Sequence, residues 1–136
     1  MKSIIILLFI FVTSLSFSQS QVCDKEALYS FLQSKGLANE EDKDYIKCSP
    51  IVTEANGNGV FSFGIDETHA PTFFFILKDS NIHFIDNSKV DNIFNDVSSY
   101  LRDSNLSLEK KLYCYQKLLE IVKADTVDYP WSLPKK

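Results

Sequence analysis

Thr72-Phe73-Phe74-Phe75-Ile76-Leu77-Lys78 is the stretch on which the fold turns. Its five consecutive large apolar residues, bounded by Pro71 before and Asp79-Ser80-Asn81 after, predict a strand covered on much of both faces. At roughly 1.5–3 kcal/mol for each large side chain fully buried, such a run contributes heavily to the core. Exposed, it would aggregate, and Lys78 and Asp79 stand beside it as gatekeepers.

Upstream, residues 60–66 alternate: Phe61, Phe63 and Ile65 fall on one face, opposite Val60, Ser62, Gly64 and Asp66, which predicts a half-buried strand. Asn56-Gly57-Asn58-Gly59 supplies the positive-φ residues of a tight hairpin leading back to a strand over residues 51–55. The tetrad lacks the Lys and Ser/Thr of a phosphate loop, so turn chemistry explains it. Downstream, the Asp79-Ser80-Asn81 turn leads to a short strand over residues 82–86, with Ile82 and Phe84 on one face and His83 and Ile85 on the other. His83 therefore reads as a surface or half-buried structural residue.

Helical periodicity flanks this meander. Asp24 can cap a helix with Leu28, Phe31 and Leu32 on one face, ending near Gly36. Residues 39–44 are polar and acidic without periodicity and read as a solvated linker. Val90, Ile93, Phe94, Val97, Tyr100 and Leu101 keep the three-and-four spacing of an amphipathic helix, with Ser88 and Asp91 as an acidic capping box. After Asp103-Ser104-Asn105, Ser107 can cap a last helix. Leu108, Leu112, Tyr115, Leu118, Leu119 and Val122 form its apolar face, with Cys114 and Ile121 on the flank. Tyr129, Pro130 and Trp131 follow as an aromatic tail that packs back on the domain or anchors a partner. The order predicts an α+β fold: a four-stranded antiparallel meander sheet with one N-terminal and two C-terminal helices packed on one face, a two-layer sandwich.

The N-terminus has the layout of a cleavable secretory signal over residues 1–18, with Lys2, an apolar run from Ile4 to Val12 and serines from Ser14 to Ser20. The run is about half of the roughly 20 residues that span a hydrocarbon core, and no later segment replaces it. Cleavage after Ser18 or Ser20 leaves glutamine first. Lipidation at Cys23 is the alternative, but Val22 and Ser20 stand where a small and an apolar residue are expected. Residues 19–136 are then a single domain, too short for two.

Of 14 basic and 18 acidic residues, cleavage removes Lys2, leaving a net charge of about −5. That argues against nucleic acid and anionic membrane surfaces as partners, because both reward clustered Lys and Arg. Three cysteines enter an oxidising compartment, so one is left over. A Cys48–Cys114 bridge is expected, because Cys23 beside a frayed terminus gains least from being tied. No CxxC pair or zinc spacing occurs, and no cofactor is implied.

One cluster of polar groups carries possible chemistry: Asp66, Glu67, Thr68 and His69 before Pro71, where a carboxylate and an imidazole can serve as acid and base. The plainer reading is a polar hairpin loop. A hydrolytic zinc site would need His69, His83 and a carboxylate to converge, which their spacing does not demand. Two function classes follow. The first is a non-enzymatic periplasmic or extracellular module that binds another protein, immunity- or inhibitor-like by size, location and charge. The alternative is a small hydrolase or metal-dependent enzyme using the Asp66–His69 loop.

Overall fold

The computed structural model describes residues 23–66 and 71–128. Residues 1–18, Glu67, Thr68, His69 and the tail with Tyr129, Pro130 and Trp131 lie outside the described residues, and with them the expectations placed there.

Four strands, β1 (Ile46–Thr53), β2 (Gly59–Ile65), β3 (Phe73–Lys78) and β4 (Asn81–Phe84), form one antiparallel sheet in the order β1-β2-β3-β4. One helix precedes the sheet, α1 (Lys25–Ser34), and two follow it, α2 (Val90–Asp103) and α3 (Leu108–Asp128). This is the expected α+β meander. Register explains how β3 is used: Phe61 pairs with Phe75 and Phe63 with Phe73, while Val60 pairs with Ile76 and Ser62 with Phe74. Because side chains alternate across a strand, the phenylalanines divide between the two faces.

Each face has its own core. Phe61, Phe63, Phe73 and Phe75 are buried with Leu28 and Leu32 of α1. Val60, Phe74 and Ile76 are buried on the other side with Ile93, Val97 and Leu101 of α2 and Leu118 of α3. The three helices therefore do not share one face; the sheet is the middle of three layers. An unbroken apolar strand needs cover on both sides, and a second helical layer supplies it. The α1 face is a cluster of rings: Phe31 stacks on Phe84 at 4.2 Å and meets Phe63 and Phe73 edge-on at 5.8 and 5.9 Å, while Phe61 stacks on Phe75 at 5.0 Å. Such pairs add about 0.5–1.5 kcal/mol each beyond area burial.

The same division corrects the cysteine pairing. Cys48 packs with the α1-side core, whereas Cys114 is fully buried in the opposite one, so the sheet stands between them. The bridge is Cys23–Cys48, with Cα atoms 5.7 Å apart, and Cys114 is a free thiol. Cys23 stands two residues before α1 and packs against the same core, into which that helix buries Leu28 and Leu32. Asp24 caps that helix through the Glu26 amide at 3.2 Å, as expected.

Local departures have local causes. β1 starts at Ile46, earlier than expected, and a register shift between Pro50 and Val52 lets Ile51 and Val52 both reach the α2/α3-side core. Residues 39–44 are not a featureless linker: a 3-10 turn spans Glu40–Tyr45, with the Asn39 amide donating to the Asp42 carboxylate at 2.8 Å. Ser88 does not cap α2; Lys89 precedes that helix, and the Ser88 amide donates to Asp86 instead. At the β1–β2 turn Gly57 has φ +94°, and a Cβ on Gly59 would lie 2.3 Å from the Val52 carbonyl oxygen, so both positions need glycine. Asp79 and Ser80 also have positive φ, 52° and 67°, and the Asp79 amide donates to the Asn58 side chain at 3.0 Å, tying the two hairpin turns together.

Candidate functional site

Alternation on β4 places His83 opposite Ile76, facing α2 rather than the phenylalanine core. Its Nε2 lies 3.2 Å from Oδ2 of Asp96, one turn before Tyr100 on the same helix. Lys78, Asp79, Ser99 and Asp103 complete an open cleft of about 430 Å³ between the β3–β4 hairpin and α2. The His83 and Asp96 side chains are 64 % and 40 % exposed, so water screens the pair and nothing strengthens it as a dry site would. No group of three metal-ligating side chains occurs among the described residues.

Glu54, a lone carboxylate without a sequence pattern around it, organises the neighbouring recess. Its carboxylate accepts from the Tyr100 hydroxyl and from the Asn105 amide at 2.9 Å, joining the end of β1 to α2 and the turn that follows it. Tyr100 is nearly buried, and burial first, then its bond to Glu54, pushes the phenol well above its ordinary range. A tyrosine on an apolar helix face demands a partner for its hydroxyl, the one signal that points to Glu54 in advance. The bond is structural: it holds the phenol protonated and does not prepare a base.

The loop singled out for chemistry contributes one described residue. Asp66 forms an ion pair with Lys47 at 2.7 Å and donates its amide to the Tyr45 carbonyl, closing the β1–β2 ladder. Glu67 and His69 lie outside the described residues.

The feature most unlike a sealed domain surface is on α3. Ser107 caps it as expected, accepting from the Lys110 amide at 3.3 Å. Among its described side chains the buried ones are Cys114, Leu118 and Val122, so the helix is rolled toward what the sequence presents as its flank. Burial pushes the Cys114 thiol up to about 12. The roll leaves Leu108, Leu112 and Leu119 at 72 %, 55 % and 48 % exposure. These leucines, with half-buried Tyr115, recur at intervals of four, three and four residues and line one ridge. Tyr115 anchors it, its hydroxyl lying 2.9 Å from Ser98 Oγ of α2. Periodicity marked this stripe as apolar without telling which half of it would be covered. Comparison with protein-family models, curated proteins and solved structures finds no match to this chain.

Proposed function

We propose that this chain is a small exported, non-enzymatic protein-binding module whose contact surface is the α3 ridge of Leu108, Leu112 and Leu119. The observation that carries the reading is the exposure of three aligned leucines on a helix that docks through Cys114, Leu118 and Val122. Lone exposed leucines are ordinary, whereas an aligned apolar row rimmed by charge is the usual form of a helix-mediated contact. The net negative charge supports a protein partner over nucleic acid or an anionic membrane. Export is supported by the signal-like N-terminus and by the disulfide, since disulfides persist in oxidising compartments. A sulfur committed to the bridge cannot also carry a thioether lipid, which favours a mature chain without a lipid at Cys23.

The test is photo-crosslinking in the envelope fraction from a probe at Gln116, beside the ridge, with and without Leu112→Glu and Leu119→Glu. Both leucines are outside the core, so the double variant should fold and lose its crosslinked partners. Unchanged crosslinks in the folded double variant would end this reading.

A further inference from the structure

We infer that the ridge's partner is a second copy of this chain, paired antiparallel along α3; this rests on the reading of the ridge as a protein-binding surface. Leu108 and Tyr115 are seven residues apart, as are Leu112 and Leu119, the interlocking repeat of a short helix–helix seam. On the outer flank the same seven-residue interval carries Glu109, Gln116 and Lys123, all exposed. An antiparallel two-fold pairing sets Tyr115 against Leu119 of the second copy. It brings Glu109 beside Lys123 of the second copy, lets Gln116 meet its own equivalent, and repeats the Glu–Lys contact on the far side of the axis. The flank is thus complementary to itself only in this orientation: a parallel pairing brings neither of these charges against an opposite one. Self-complementarity of one patch is what a two-fold interface requires. On the inner flank Asp125 accepts from the Thr72 amide at 2.7 Å, fixing the helix to its own sheet and directing any second helix to the outer side.

The extent of the seam sets its strength. From Leu108 to Lys123 the ridge is about 24 Å long at 1.5 Å per residue. It belongs at the low end of interface sizes, below roughly 1,200 Å² in total, so the dimer is weak and concentration-dependent.

Sedimentation equilibrium of the mature, oxidised protein across micromolar to millimolar concentrations tests this. The expected result is a reversible monomer–dimer equilibrium abolished by Leu112→Glu with Leu119→Glu. Glu109→Lys should weaken it about tenfold by setting lysine against lysine at two symmetric places, and adding Lys123→Glu should restore it. Circular dichroism of each variant confirms that the fold is kept. A protein that stays monomeric at millimolar concentration, or a dimer indifferent to both the leucine and the charge substitutions, overturns the pairing. A monomer whose envelope crosslinks vanish with the leucine variants also overturns it and leaves the ridge reading standing, whereas crosslinks that persist in those variants bring down both.

Discussion

Opening the Cys23–Cys48 bridge should destabilise the domain by about 3.5 kcal/mol, the value that the loop-closure relation returns at 25 °C for a sequence separation of 25 residues. The perturbation is Cys23→Ser with Cys48→Ser, compared with the oxidised wild type in urea and followed by far-ultraviolet circular dichroism. With a slope of about 1–3 kcal/mol per molar urea, the midpoint should fall by between about 1 and 3.5 M. The variant should still fold, because Leu28 and Leu32 remain buried against the phenylalanine face without the covalent tie. Cys114→Ala should leave the bridge intact. A difference below about 1 kcal/mol, or peptide mapping that links Cys48 to Cys114, would refute the reasoning, since the latter bridge would have to pass through the sheet.

Other outcomes follow from the interior of the opposite layer. The Cys114 thiol, held protonated by burial, should resist alkylation in the native protein and react at once in denaturant; a native rate matching that of a free thiol would contradict its placement. Both Cys114 and Tyr100 have folded values raised above their ordinary ones, so unfolding releases protons in alkali. Stability is then fully present below about pH 9 and falls as pH rises, by up to about 1.4 kcal/mol per pH unit for each group. Urea midpoints flat from about pH 8 to about pH 11 would count against it. Glu54→Ala strands the Tyr100 hydroxyl and the Asn105 amide and should cost about 1.5–3 kcal/mol, read as a lower thermal midpoint; a loss under about 0.5 kcal/mol would remove Glu54 from the role assigned to it.

Much of the architecture was legible because period and punctuation agreed. Residues 72–78 announced a doubly covered strand, the Asn-Gly tetrad a tight turn, and Asp24 and Ser107 their helix starts. The distribution of helices between faces was implicit in the same stretch: a strand without a polar side has no face to leave open. What stayed hidden depended on rotation and on long-range partners. A helix with apolar residues spread over a wide arc can dock by either edge of it, so α3 could not reveal whether Cys114 or Leu112 would turn inward. Cysteine pairing followed from that, since the face of the sheet on which each thiol lies is a tertiary fact. Glu54 was invisible because one carboxylate at a strand end carries no pattern; only the need of Tyr100 identifies it.

The margins of the sheet narrow the ways in which this molecule can touch others. On one border, Pro50 lacks an amide hydrogen and the register slips beside it, while the covalent tie at Cys48 pins the same strand to α1. The other border is only four residues long and ends in turn residues of left-handed conformation. Neither offers the long, flat ladder of free backbone groups on which a neighbouring chain could extend the sheet. Two chains of this kind cannot easily zip together through their backbones, for all the phenylalanine between them, and a contact of the kind proposed would fall to side chains on the helical surface.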